Sequence, residues 1–341
     1  MKRYLKSIGL LFLVALISVS CSSKSGENKE NSKKKKSHMP HTVGVTSELL
    51  VITNKVHWDG VMGDSIREFF GRDVPGMPQV EPVFTLPNVN MPSVHKKMFR
   101  RHRNIFIIEY KDSLKNPYLE TKEDLWAAPQ RVVKITTPDD AGFFKLFSEH
   151  KEALMILYHK NEIRRIQQTF KDGEDTKIRN RMMRKYDLSV TVPSGFFVAR
   201  KFKDFFWLRK ETPDKSQGMM MYIEEYKSRD QFKPENILMK RNTMTRKHIP
   251  GPTEGSYMIT SKMIEPESKE ITFKGKYCVM TRGLWEVEND FMGGPFLSYT
   301  FVDEKTNRLI TLDSYAYHPG KAKRDLMLQM EAIMKSIVFE K

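Results

Sequence analysis

An α+β fold is predicted from three observations. Short runs rich in β-branched residues recur ("ELLVIT", "RNIFIIEY", "QRVVKITT"), with helical spacing between the first two at Val61, Ile66, Phe69 and Phe70 ahead of Gly71. Strand-like stretches then crowd the second half, from "FFVARKF" to "RLITLDSYAY". The chain closes on Leu326, Met330, Ile333, Met334 and Ile337, one apolar helical face. A strand-rich middle flanked by helices predicts an antiparallel sheet covered on its faces, an α/β/α sandwich.

The elements follow in order. "PGMPQVEPVFTLPNVNMP" holds too many prolines for a central strand and reads as an extended edge or surface crossing. A long helix follows "TPDDAGFFKLF", with Asp139 or Thr137 as its N-cap, a break near Asp172–Asp175 and an end near Lys185. Its span 160–185 carries nine Lys/Arg against four Asp/Glu, which suits either a membrane-surface element or a solvated face. Leu188, Val190 and Val192 alternate before Pro193 and Gly195 turn the chain. "GMMMYIEEY" is a strand, "KPENILMKRNTMTRKHI" a helix with Pro234 near its first turn, and a hairpin forms around "DEKTNR". About 300 residues exceed one typical core. Two domains are therefore expected, an N-terminal α+β domain at 43–186 and a C-terminal sandwich at 187–341.

The start of the chain reads as an address. Lys2, Arg3 and Lys6 precede the apolar "IGLLFLVALI", and small residues lead to Cys21. The apolar run is about half of the roughly 20 residues that a membrane-crossing helix needs. Residues 1–20 are thus expected to be a signal peptide, and Cys21 the acylated residue of a bacterial lipobox. Ser18 departs from the aliphatic residue that pattern prefers, so simple secretion or a retained anchor are the competing readings. Residues 21–42, polar with Lys33–Lys36 at their centre, read as a disordered tether that either rests on anionic head groups or is a solvated spacer. The expected location is the bacterial cell envelope, lipid-anchored at the periplasmic face or the outer membrane.

Charge and cysteines fit that location. The formal charge is +16, and +13 without Lys2, Arg3 and Lys6. An exported chain does not meet nucleic acid, so the expected partners are the membrane, another envelope protein, or an anionic glycolipid or wall polymer. With Cys21 acylated, Cys278 is left without a disulfide partner and reads as a small core hydrophobe.

With "PQVEPVF", "RNIFII", "WAAPQ" and "WEVENDFMGGPFLSY" in view, the chain resembles a family of uncharacterised Bacteroidetes-type lipoproteins, a domain of unknown function. That resemblance spans about Thr46 to Ile337 and brings no activity with it. The order of the second region ("VTVPSGF", strands, the "KPENIL" helix, long hairpins, an amphipathic last helix) resembles the Mog1/PsbP type of sandwich. It implies a binding or assembly module.

The candidate binding stretch is "LWEVENDFMGGPF". In an extended segment Glu286, Glu288 and Asp290 share one face, with Trp285 on the other. Three such carboxylates suit a hard cation or an acid/base pair, against the plainer reading of a solvated sheet face. Gly293 and Gly294 read as a turn or bulge. The cluster Phe196, Phe197, Phe202, Phe205, Phe206 and Trp207, interleaved with basic residues, reads as one core face and one solvated face, or as a stacking platform. The histidines show no zinc-type spacing, and GxSxG, HExxH, CxxC, Walker A and GxGxxG motifs are absent. No cofactor, metal or catalytic residue is expected. The expected function is a non-enzymatic, lipid-anchored binding or assembly module. The rival is an exported hydrolase or cation-binding protein using Glu286, Glu288 and Asp290.

Overall fold

Two β-sheets, built from successive halves of the sequence, organise the protein. The computed structural model describes residues 39–339, so the expected signal peptide, Cys21 and most of the tether lie outside the described residues. The tether was expected to reach residue 42, but the chain is tied down sooner. Ala128 N donates to Pro40 O at 3.0 Å, and the Arg101 guanidinium donates to His41 O at 2.9 Å. Among the described residues no helix is long and apolar enough to cross a membrane.

The first sheet takes β1 (Leu50–Ile52), β2 (Asn88–Val89), β3 (Asn104–Tyr110), β4 (Tyr118–Glu123) and β5 (Arg131–Thr137), in the order β2-β1-β3-β5-β4. Only β4 runs antiparallel to its neighbour; the other pairings are parallel. From β1 the chain passes through α1 (Val61–Phe70) to β2, parallel on one side of β1, and then on to β3, parallel on the other side; parallel neighbours need such crossovers. Strands covered on both faces read as unbroken apolar runs. That accounts for "NIFII", in which Ile105, Ile107 and Phe106, Ile108 face opposite cores. One core packs α1 and α2 (Asp140–Asp172) through Met62, Ile66, Phe70, Phe147 and Tyr158. The other face lies under Val94, Phe99 and Trp126.

α2 begins where its cap predicts. The Asp139 carboxylate accepts from Gly142 N at 2.8 Å, satisfying one orphan donor of the first turn. Thr137 instead donates its hydroxyl to Asp139 O. The helix breaks at Gly173, and Asp175 restarts it as α3 (Thr176–Tyr186) by accepting from Lys177 N and Ile178 N. α3 buries Ile178, Met182 and Tyr186 against the second sheet, so its packing places it with that sheet, ahead of the boundary read at residue 186.

After the short β6 (Leu188–Ser189), the second sheet is built from β7 (Phe197–Lys201), β8 (Phe205–Glu211), β9 (Ser216–Glu225), β10 (Met258–Thr260), β11 (Glu267–Phe273), β12 (Lys276–Val287), β13 (Gly293–Asp303) and β14 (Arg308–Tyr317). Its order is β10-β12-β13-β14-β9-β8-β7, with β11 also on β12, and every pairing is antiparallel. α3 and α5 (Arg324–Met334) cover one face, and α4 (Pro234–His248) covers the other. The predicted α/β/α sandwich is the observed arrangement of this half. β15 (Val338–Phe339) pairs with β6. Cys278 is buried, and burial pushes its thiol up to about 12.

One packing detail differs from the sequence reading. β8 was expected to bury one face and wet the other, yet Phe205, Phe206, Trp207 and Leu208 are all buried, on alternate sides. A central strand between two helical layers has no solvated face. Of that aromatic cluster, Phe197 and Phe202 are left exposed.

Candidate ligand-binding cavity

Where the two halves meet, a cavity of about 690 Å³ opens, within the size range of small-molecule sites. Its walls are the loop Arg72–Met77, the α2 face from Glu152 to Glu162, β11, β12, the start of β13 and α5. Much of the lining is apolar: Val74, Met77, Phe84, Met155, Ile156, Met280, Phe296 and Met327. Gly76 holds the loop close to β12. Its φ is +75°, and a Cβ there would lie 3.2 Å from Gly283 N, so a side chain would be strained and crowded.

The walls are fixed by polar contacts between the halves. The Glu81 carboxylate accepts from Lys323 N at 2.8 Å and Arg324 N at 2.8 Å, supplying the N-terminus of α5 with the side-chain cap that its own N-cap residue, Lys323, does not provide. The Arg324 guanidinium donates to Pro82 O at 2.8 Å, and Gln167 Nε2 to Ala332 O at 2.9 Å. Ile163 of α2 packs on Leu328 and Ala332.

Two carboxylates stand in the cavity with their needs met. Glu162, 1 % exposed, accepts from Ser47 N, from Arg103 Nη1 at 2.9 Å and from Asn104 Nδ2 at 2.8 Å. Glu331 accepts from Tyr299 Oη at 2.8 Å, with His159 Nε2 at 3.2 Å and Lys335 Nζ at 2.6 Å. Burial works to raise the Glu331 carboxyl, but His159 and Lys335 outweigh it and hold the group well below the usual carboxylate range. Burial, followed by the Glu331 charge, pushes Tyr299 well above the ordinary phenol. The ionised Glu331 is therefore satisfied by hydrogen bonds from its neighbours without needing a ligand.

Arg282 differs. It lies on β12 with the same parity as Cys278 and Met280, so its side chain projects from the core side of the strand. Among the described residues it forms no ion pair, its Nε is buried without a partner, and Nη2 reaches only the Met280 sulfur at 3.6 Å. Lys160, exposed at the rim, also lacks an ion pair among the described residues, as does the exposed Asp73. Arg72 pairs loosely with Glu152 at 3.6 Å, and Lys269 with Glu267 at 2.7 Å. A half-buried guanidinium whose Nε is buried and unused, beside apolar walls, favours an anionic group carried on an apolar body.

The stretch singled out by sequence lies elsewhere. β12 ends at Val287, so Glu288 and Asp290 sit in the turn that follows and do not share an extended face with Glu286. The cause is a tight return: Asp290 N donates to Val287 O, Val287 N to Met292 O, and Asn289 takes φ +63°. Glu286 accepts from Ser261 Oγ at 2.6 Å. Among the described residues no group of three or more His, Cys, Asp or Glu is placed to hold a metal. Trp285 is buried, donating to Ala316 O at 3.3 Å and packing edge-on to Tyr315. Gly293 and Gly294 begin β13 beneath it. A Cβ on Gly294 would fall 2.2 Å from Ala316 O, so these glycines serve close strand packing. From this stretch only Pro295 and Phe296 reach the cavity.

No curated protein is detectably similar to this chain. Two solved structures are similar at 10 % identity: a variant of the protein Mog1, over 46 % of this chain and 92 % of that one, and the Saccharomyces cerevisiae Ran-binding protein Mog1p, over 46 % and 91 %. Both give a TM-score of 0.29, so loose a likeness that it assigns no function. Residues 42–171 match a family model described as a domain of unknown function (DUF8532), and residues 175–336 match another, also a domain of unknown function (DUF4837). The first match ends near the close of α2 and the second begins at the Asp175 cap of α3. Two consecutive segments of the chain thus each match a domain of unknown function, with the cavity at their junction.

Proposed function

We propose that this chain is a lipid-anchored protein of the bacterial envelope, acylated at Cys21, that binds an amphipathic anion in the junction cavity. It performs no chemistry on the ligand. The observation that carries this reading is Arg282: a guanidinium with a buried, unused donor in a cavity whose walls are in large part apolar and whose buried carboxylates already have partners. An anionic lipid or glycolipid has the required form, an acidic group for Arg282 and hydrocarbon for Met77, Ile156, Met280 and Met327. An exported, anchored chain meets such molecules at its own membrane.

Calorimetric titration with dodecyl phosphate, below its micellar concentration, tests this. Hydrogen bonds to a charged group contribute about 1.5–3 kcal/mol. Arg282→Gln is therefore expected to weaken binding about tenfold or more, and dodecyl maltoside, with the same tail and no charge, to bind far more weakly. Equal affinity of both variants, or of both amphiphiles, contradicts the assignment.

A further inference from the structure

A second surface stands apart from the cavity, at the turn between β7 and β8. Phe202 is 47 % exposed at its tip, although its backbone is firmly held. Its N–H donates to Phe205 O at 2.7 Å, and Tyr186 Oη at the end of α3 donates to its carbonyl at 2.7 Å. Its ring rests on His248, at the end of α4, with centroids 4.9 Å apart. The tip thus gathers the ends of α3 and α4. Around it stand Lys185, Arg200, Lys201, Lys203 and Lys247, all exposed and none in an ion pair among the described residues. One carboxylate, the exposed Asp204, lies among them; its charge reaches both Tyr186 and His248.

Lysine on an edge strand discourages pairing with another sheet, which explains Arg200 and Lys201. It does not explain an exposed phenylalanine held rigidly at the tip, nor the cations contributed by two helices. An aromatic wedge ringed by basic side chains is the chemistry that meets a membrane interface, with the ring in the headgroup layer and the cations on phosphates.

We propose that the β7–β8 turn docks on the anionic headgroup surface of the membrane, with Phe202 entering the interface and Arg200, Lys201, Lys203, Lys185 and Lys247 contacting lipid phosphates. This inference is independent of Cys21 acylation and of the cavity.

The test places tryptophan at the tip. Full-length Phe202→Trp is added to vesicles whose acyl chains carry bromine close to the headgroup. Emission above that of the wild-type chain reports the tip. Loss of this added emission is expected in vesicles containing phosphatidylglycerol, and little loss in pure phosphatidylcholine. High salt, or Arg200→Glu with Lys203→Glu, should restore it, since screening and charge reversal remove the attraction. Met263→Trp, at an exposed site away from the tip, should stay bright. No quenching in anionic vesicles, equal quenching in both lipids, or equal quenching at Met263 overturns the proposal. So does crosslinking of the tip to a second protein without quenching.

Discussion

Glu162→Ala is expected to destabilise the protein by about 3–5 kcal/mol, because it leaves a buried cation without its counter-charge. The Arg103 side chain is 9 % exposed and pairs with Glu162. Arg165 lies close enough that burial and the Arg103 charge together bring it down to about 10, with Glu162 pulling the other way. Two guanidiniums therefore depend on one carboxylate. That carboxylate also accepts from Ser47 N and Asn104, joining α2 to β3 and to the chain entering β1. Glu152→Ala is the control on the same helix. Glu152 is exposed and 3.6 Å from Arg72, so its loss should cost about 0–1 kcal/mol. Urea midpoints compare the two. A Glu162→Ala loss no larger than that of Glu152→Ala would mean that the buried pair is not formed.

Arg241→Ala should have a similar effect from the other side of the second sheet. Arg241 and Asp313 are both fully buried, with Nε 2.8 Å from Oδ2. The guanidinium also donates to Thr260 Oγ1 and lies 4.0 Å over the Phe296 ring. Burial pushes the Asp313 carboxyl up to about 6 even against the opposing pull of Arg241. Without Arg241 the folded state must either bury a bare carboxylate or protonate it. A loss of about 3–5 kcal/mol is expected near neutral pH. The sign of its pH dependence follows. With a folded pKa raised above the unfolded value of about 3.9, the native state binds the proton more tightly, so stability falls as pH rises. The Arg241→Ala deficit should therefore shrink toward acid. Arg241→Met combined with Asp313→Leu should recover most of the loss, because hydrophobic replacement of a whole buried pair is often neutral or better. A double variant as unstable as the single one would place the cost in lost packing, not in the orphaned charge.

The elements that local chemistry dictates were legible. The Asp139 cap, the break before Asp175 and the stripe Met330, Ile333, Met334, Ile337 all sit where their residues imply. Strand direction was not, because an apolar run such as "NIFII" is compatible with either pairing and only the crossover connections decide it. The turn at Glu288–Asp290 was missed because alternation of acidic and apolar residues continues past the end of the strand. The cavity brings Gly76 and Arg282 together across some 200 positions of sequence, a proximity that no local pattern records. Signals for its polar residues did exist. Arg282 shares parity with Cys278 and Met280, Glu331 interrupts an apolar stripe, and Arg241 keeps helical spacing with Ile237 and Met244. A charge at a core position demands a partner or a purpose.

The functional account rests on hydrocarbon being attached to Cys21, since this is what brings the cavity to a membrane. Growing cells on an alkyne-tagged palmitate and probing the purified chain decides it. Wild type should carry the tag and sediment with membranes, and Cys21→Ala should lose both. An untagged wild type, or a Cys21→Ala chain tagged to the same extent, would contradict the account.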